Sequence, residues 1–425
     1  MKKLIYLLFL IPFVTFQSCL QEEEDIFDDS SSTRLNALIE EYRGILTDVP
    51  NGWVIEYYPE SHQAYGGINI LVKFDKSGTV TITNESGYTG IDLNTENSLY
   101  NLLAETGPVL TFNTYNKYIH LFADPNPDLT GSVDGFKGDY EFVIVSATSK
   151  KVEMKGKKTQ NVITMTALDV NTSWQDYLAK VNEVATISKA PGYQLYLGTE
   201  TIGTATDGVK FSFNWAEGQE IKTVETSYIY TSTGINFYQP VTVKDKTIQH
   251  FTFNNTTEAF ECTDGVDAKI ALVFPPVNKA FATTMNKWYF DYSGLNATLK
   301  TLWDQAKASC LAGEGETLQR IYIGYFENSK TNIRGTGIGF FTNAYQAVTS
   351  ASFIPVEGTD NQITITRTNK DYLNYSYYVT YFDPFANFIA ENSPYQMIAD
   401  NEKSPTEITF TSVANPNATF TLSKQ

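Results

Sequence analysis

The chain has 425 residues, of which 42% are apolar and 14% aromatic, and its formal net charge is −17. This composition supports a substantial core, and the length predicts two or three domains rather than one. The negative charge argues against a nucleic-acid-binding protein, because such a protein needs a basic surface to meet the phosphates.

Residues 1–18 have the layout of a secretory signal peptide. Lys2 and Lys3 form a positive start, and the apolar run LIYLLFLIPFVTF follows. The run is shorter than the roughly 20 apolar residues of a spanning helix, and Pro12 interrupts it. We therefore expect a cleaved leader rather than a permanent membrane helix.

The stretch FQSC, which ends at Cys19, resembles a bacterial lipoprotein cleavage box whose cysteine carries the lipid. The alternative is an ordinary secreted protein with a coincidental cysteine. The acidic run LQEEEDIFDD that follows resembles the export signal of surface lipoproteins in Bacteroidota, with a plain solvated tether as the alternative. We expect residues 19–30 to tether the protein, through the lipid on Cys19, to the extracellular face of the outer membrane.

The segment 31–190 predicts an N-terminal domain with a helix and a β-sheet. The serines of SSSTRLNALIEEYRGIL offer a helix cap, and its apolar residues fall on one face. Strands follow, among them WVIEYYP, INILVKF, TVTIT, YIHLF and VITMTAL. Further helices are predicted near Ser98–Thr106 and at Trp174–Ile187, the latter capped by Ser173.

Residues 191–277 predict a second block of strands, and residues 278–425 predict a C-terminal domain. The C-terminal domain begins with a helix near Leu295–Leu311 and continues as strands, including YSYYVTYF. Long strand runs separated by single helices predict an α+β, β-dominated fold. We expect mostly antiparallel sheets curled as half-barrels or sandwiches, each preceded by a single helix.

Several phrases carry a family resemblance. They are PNGWVIEYYP, GPVLTFNTYNKYIHLFADP, GDYEF, KGKKTQN and GINFYQPVTV with IQHFTFNN. Together, over roughly residues 25–280, they resemble a family of Bacteroidota surface lipoproteins described only as a domain of unknown function. Its members are typically encoded beside SusC/SusD-like outer-membrane uptake systems. The resemblance implies a role in nutrient capture, and it implies no catalytic residue.

The usual signatures of catalysis and metal binding are missing from the sequence. No HExxH, GxSxG, Walker loop or Cys/His cluster occurs, so we predict no catalytic residue, metal or cofactor. Cys262 and Cys310 can form a disulfide outside the cytoplasm, or they can remain free thiols with Cys310 on an apolar helix face.

An aromatic stretch in DYLNYSYYVTYFDPFANF supplies the candidate binding residues. In a strand, Tyr375, Tyr377 and Tyr381 share one face, where aromatic rings could stack on sugars or cover peptide side chains. The competing interpretation is core packing, because β-strands are rich in the same residues.

The leading hypothesis is a non-catalytic accessory lipoprotein of an outer-membrane nutrient-uptake complex. It would bind a glycan or a peptide, or dock on a SusC/SusD-like transporter. One alternative is a surface hydrolase that uses paired carboxylates, as glycosidases do. Another is a structural or adhesive surface protein.

Overall fold

A computed structural model of the chain describes residues 30–87, 89–125, 133–328 and 331–424, and only the backbone of Asn369. The chain divides into two compact units, the first ending at Leu272 and the second beginning at Val273. Each unit is described by itself. The leader and the tether predicted for residues 1–30 lie almost wholly outside the described residues.

The N-terminal unit begins with helix α1, Ser31–Thr47, which is capped by the Ser30 hydroxyl as the sequence predicted. A closed antiparallel barrel of eight strands follows, here called the first barrel, and it closes where β8 pairs with β1. A short helix, α2, Lys117–His120, lies between β5 and β6. The strands are β1 Trp53–Tyr57, β2 Ile68–Phe74, β3 Thr79–Asn84, β4 Glu96–Ala104, β5 Pro108–Phe112, β6 Glu141–Ala147, β7 Lys151–Gly156 and β8 Val162–Ala167.

The core of the first barrel is filled by the alternate side chains of each strand that point inward. Trp53, Ile55 and Tyr57 of β1 are almost fully buried in one apolar core, and the apolar face of α1 joins that core. The Trp53 indole N–H donates to the carbonyl oxygen of Leu46 at 3.0 Å, which ties the end of α1 to the first strand. The residues between them, Val54 and Glu56, therefore point to the outside of the barrel.

Helix α3, Trp174–Ile187, connects the first barrel to a second closed antiparallel barrel of eight strands. It spans the predicted residues, and its Ser173 cap accepts from the amide of Asp176. A row of phenylalanines fills the second barrel, among them Phe211, Phe213 and Phe237. Its strands are β9 Gly192–Leu197, β10 Glu200–Thr206, β11 Lys210–Glu217, β12 Glu220–Tyr230, β13 Gly234–Val243, β14 Lys246–Asn254, β15 Ala259–Cys262 and β16 Ala268–Val273.

The C-terminal unit is a third closed antiparallel barrel, with helices α4 Val277–Ala282, α5 Ala297–Glu314 and α6 Tyr375–Glu391. Apolar residues of α5 and α6 share one core with the strands, including Trp303, Phe382 and Phe385. The strands are β17 Lys287–Phe290, β18 Leu318–Asn328, β19 Ile333–Thr342, β20 Gln346–Pro355, β21 Gln362–Leu373, β22 Tyr395–Ala399, β23 Glu407–Ser412 and β24 Thr419–Lys424.

The β-dominated, mostly antiparallel α+β class is confirmed, and its sheets close into barrels rather than stopping as half-barrels. Two local predictions were wrong. Ser98–Thr106 was predicted as a helix, but most of it lies in strand β4, where Ser98, Tyr100 and Leu102 alternate inward. The stretch YIHLF was predicted as a strand and contains α2 instead. Within the described part of the chain, no helix is both long and apolar enough to cross a membrane.

Candidate functional site

The outer face of β1 is the floor of the candidate site. Val54 packs there against Leu71 of β2 and Leu178 of α3 in a small apolar cluster. Glu56, two residues further along the same face, lies opposite Thr164 of β8 in the strand register. A carboxylate therefore sits beside an apolar patch on the barrel wall, where burial and hydrogen bonding decide its charge.

A hydrogen bond joins this floor to the second barrel. The side-chain amide of Asn236 in β13 donates to Glu56 Oε1 at 2.7 Å. Glu56 Oε2 accepts no hydrogen bond from any residue that the structure describes. Asn236 in turn lies opposite His250 of β14. Two cross-strand pairs, Glu56 with Thr164 and Asn236 with His250, thus meet at one place.

These pairs line an open cleft of about 660 Å³ in the N-terminal unit. Its first-barrel side carries Lys151, Thr164 and Thr166, and Tyr177 comes from α3. Hydroxyl and amide groups predominate on the second-barrel side, whose polar residues are Thr231, Thr233, Asn236, Tyr238, Gln249, His250, Thr252 and Thr263. The volume falls within the range of small-molecule sites, although the walls are more polar than is usual for them.

The electrostatics of the cleft centre on Glu56. Burial raises the pKa of this carboxyl above its ordinary value, against the opposing effects of the Asn236 hydrogen bond and the charges of His250 and Lys151. Of the described residues that line the cleft, Glu56 is the single carboxylate. The cleft thus offers one carboxyl group and the Lys151 ammonium group among hydroxyl, amide and imidazole groups.

His250 is held by a carboxylate behind the cleft wall. Asp264 Oδ1 lies 2.7 Å from His250 Nδ1, and the Cys262 thiol donates to Asp264 Oδ2 at 3.5 Å. Burial alone would raise the pKa of Asp264, but the amides of His250 and Gln249 and the His250 ring lower it below its ordinary value. The ionised carboxylate keeps the proton on Nδ1, so in neutral His250 the acceptor is Nε2.

Cys262 and His250 do not form a nucleophile and base pair. Both bond to Asp264 instead of to each other, and burial raises the pKa of the Cys262 thiol. A nucleophilic cysteine needs its pKa lowered by a neighbouring cation. Cys262 and Cys310 are both free thiols, and Cys310 is buried. No three His, Cys, Asp or Glu side chains gather as metal ligands among the residues described.

A second hydrogen-bonded carboxylate, Glu85, lies behind Tyr177. The amide and the side-chain amide of Asn69 both donate to Glu85 Oε1, and the Tyr177 hydroxyl donates to Asn69 Oδ1 at 3.1 Å. Burial raises the pKa of Glu85. Glu85 is not part of the cleft lining, so this network supports the wall rather than contacting its contents.

The site residues predicted from the sequence lie elsewhere. Cys19 is outside the described residues, so its lipidation stays a prediction. Tyr375, Tyr377 and Tyr381 belong to helix α6 of the C-terminal unit, and the prediction that they share a strand face was wrong. Tyr375 is buried and donates to Asp383, Tyr381 donates to Glu314, and Tyr377 is 76% exposed. Successive residues of a helix turn by about 100°, so Tyr377 and Tyr381, four residues apart, share a face, and Tyr375 points to another side.

The cleft residues were not predicted. One sequence signal was available, because Glu56 is the lone charged residue of the strand WVIEY. An acid in an apolar strand requires a hydrogen-bonding environment outside the core. Nothing in the sequence pairs Glu56 with Asn236, which is 180 positions away.

Residues 23–255 match the family described as "Domain of unknown function (DUF4302)". The chain belongs to this family. The matched residues include the first barrel, α3 and the second barrel through β14, and so contain Glu56, Asn236 and His250. No curated protein matches the chain.

Among solved structures, several DNA polymerase III β chains are similar in coverage only. The protein from Streptococcus pneumoniae TIGR4 is 10% identical, covers 92% of this chain and 97% of its own, and gives a TM-score of 0.12. The Borrelia burgdorferi subunit, solved in complex with a natural product, is 12% identical over 93% of this chain and 97% of its own, with a TM-score of 0.10. The Thermotoga maritima subunit is 8% identical over 91% and 96%, with a TM-score of 0.11. TM-scores this low carry no argument about the present chain.

Proposed function

We propose that the chain is a non-catalytic surface lipoprotein that acts as a binding accessory of an outer-membrane nutrient-uptake complex. The cell-surface location is supported by the leader, by Cys19 and by the acidic run after it, because they resemble a lipoprotein cleavage box and a surface-export signal. The resemblance to Bacteroidota lipoproteins encoded beside SusC/SusD-like systems supports a SusC/SusD-like transporter as the partner.

The observation that carries the binding role is the cleft at Glu56 and Asn236. It is open and polar, and its volume of about 660 Å³ suits a ligand of several rings or residues. Its histidine bonds to Asp264 through Nδ1, and among the described residues no hydroxyl or thiol bonds to Nε2. The cleft therefore offers many hydrogen-bonding groups to a ligand and no assembled pair of nucleophile and base among the described residues.

The geometry of the cleft can be compared with one alternative function, that of a carboxylate-based glycosidase. Such an enzyme needs two carboxyl groups roughly 5–10 Å apart on either side of the bond. Glu56 could be one of them. Glu85, the carboxylate behind Tyr177, bonds to Asn69 and does not line the cleft. The described geometry therefore favours binding.

The test is recovery of the lipidated protein with its neighbours. A C-terminally tagged form is purified from outer membranes in mild detergent, and the co-purifying proteins are identified. We expect a SusC/SusD-like pair, and we expect its loss with Cys19→Ala. Recovery of the tagged protein alone would overturn the role as an uptake accessory. Hydrolysis of a polymer by the purified chain at enzyme-like rates would overturn the non-catalytic assignment.

A further inference from the structure

The cleft between the first and second barrels has walls made mainly of neutral hydroxyl and amide groups. Thr164 and Thr166 alternate outward along β8, and Thr166 is exposed. On the opposite side, Asn236 and Gln249 add amides, and Thr252 adds a further hydroxyl. Hydroxyl and amide groups both donate and accept, so they match a ligand whose surface is made of hydroxyl groups.

The carboxyl group of Glu56 fixes where such a ligand would bind. Asn236 occupies Oε1 and thereby holds the side chain in one orientation. Oε2 accepts nothing from the described residues, and the Glu56 side chain lines the cleft. This oxygen is therefore available to accept a hydrogen bond from a ligand hydroxyl in place of water. Hydrogen bonds to an ionised acceptor are also stronger than neutral ones.

Peptides and anionic ligands fit the same walls less well. The fully apolar residues in the lining, Val54, Ala167, Leu168 and Phe251, are outnumbered by polar ones, so few groups are available to cover apolar peptide side chains. An anionic ligand would meet Glu56 and a chain of net charge −17. Lys151 and His250 offset that repulsion only locally.

We infer that this cleft binds a neutral oligosaccharide, with Glu56 and Asn236 at its centre. The inference rests on the proposed binding function and names its ligand class. Glu56 Oε2 accepts a sugar hydroxyl, and the threonine and amide groups on both sides bond to neighbouring hydroxyls. No covalent step is involved.

The test uses the purified chain from Leu20 onward in native gels that contain soluble neutral polysaccharides. The probes are galactomannan, xyloglucan, mixed-linkage β-glucan, α-mannan and pullulan, with polygalacturonate as the anionic comparison and a gelatin digest as the peptide comparison. We expect retardation by at least one neutral polysaccharide and none by the other two. Calorimetry with oligosaccharides cut from the retarding polymer then gives the affinity.

Variants locate the site. Glu56→Gln keeps the shape and removes the charge, and we expect affinity to fall by about tenfold or more, as for loss of a charge-assisted hydrogen bond. The matched control is Glu85→Gln, which changes a hydrogen-bonded carboxylate outside the cleft and should bind within about twofold of the parent. Thr166→Trp fills the cleft from an exposed strand position and should abolish binding, whereas Thr201→Trp on β10 should not.

If Glu56→Gln does not fold, Thr166→Trp still tests whether the cleft binds the polysaccharide. Retardation that survives both cleft variants would place the site elsewhere. Retardation by the gelatin digest or polygalacturonate alone would overturn the ligand class. A chain unretarded in every gel would overturn this inference, and the SusC/SusD-like co-purification would still test the proposed accessory role.

Discussion

Asn69 links the two barrels of the N-terminal unit, because its side-chain amide donates to the carbonyl oxygen of Tyr230 at 2.8 Å. The same side chain donates to Glu85 and accepts from Tyr177. One buried amide in β2 therefore bonds to the second barrel, to the connecting helix α3 and to the Glu85 carboxylate.

Replacing Asn69 with alanine should destabilise the N-terminal unit. Glu85 would lose the side-chain donor to its carboxylate, and the carbonyl of Tyr230 and the hydroxyl of Tyr177 would lose a partner. We expect the free energy of unfolding in urea to fall by about 2–4 kcal/mol. Asn171→Ala, at an exposed turn, should change it by less than about 0.5 kcal/mol. An unchanged midpoint for Asn69→Ala would mean that this link contributes nothing.

Two glycines should respond to alanine in opposite directions. A Cβ on Gly67 would lie 2.4 Å from Ile229 Cβ and 2.8 Å from Tyr58 Cζ, so the second barrel would have to move. We expect Gly67→Ala to lower the free energy of unfolding by about 1–3 kcal/mol. A Cβ on Gly44, inside α1, meets nothing within 4 Å. Gly44→Ala should therefore raise it by about 0.5–1 kcal/mol through helix propensity. If both variants changed the free energy of unfolding equally, in thermal or urea unfolding, the prediction that only Gly67 lacks room for a Cβ would be wrong.

Asp400 should make the C-terminal unit sensitive to acid. The Thr406 hydroxyl and the Glu407 amide donate to this carboxylate at 2.6 and 3.0 Å, and they lower its pKa to about 2. Because the folded pKa lies below the unfolded value, its stabilisation is present at neutral pH and is lost as the pH falls toward 2.

The measurement is a series of thermal melts between pH 7 and pH 2. Asp400→Asn should melt below the parent at pH 7, and the difference should shrink to nothing near pH 2. Asp360→Asn, at another exposed carboxylate of the same unit, is the comparison. A gap of constant size across the series would show that the charge of Asp400 is not the cause.

The thiols of Cys262 and Cys310 should be slow to react. Cys310 is fully buried, and burial raises its pKa to about 11, so about one thiol in a thousand is ionised at pH 8. Cys262 donates to Asp264, and its pKa is also raised. A chain that begins after Cys19 should give almost no fast reaction with Ellman's reagent at pH 8.

Unfolding should expose two reactive thiols in the parent chain and one in the Cys310→Ser variant. Two thiols that react within seconds in the native chain would contradict the burial of Cys310. No thiol after unfolding without reductant would mean that a disulfide had formed.

Local sequence patterns were sufficient to predict the helices and strands whose signals come from residues close together in the chain. Helix α3 was predicted at its observed bounds because Ser173 caps it and its apolar residues recur on one face. Strand alternation predicted β1, β2 and β3 because one side of each faces a core. The prediction failed for α6, where tyrosine and phenylalanine have high strand propensity. The spacing of Tyr375, Tyr378, Phe382, Phe385 and Ile389 is helical, and packing in the third barrel favoured it.

The sequence by itself determined the β-dominated antiparallel class and most element positions, and the cell-surface location stays a prediction from residues 1–30. The class and the positions depend on residues near one another in the chain, as in the alternation within a strand. Only the tertiary structure decided that the sheets close into barrels and that Glu56, Thr164, Asn236 and His250 meet in one cleft. Closure depends on pairing between strands such as β1 and β8, which lie more than a hundred residues apart. No local pattern records that pairing, because strand propensity and alternation leave the choice of partner strand open.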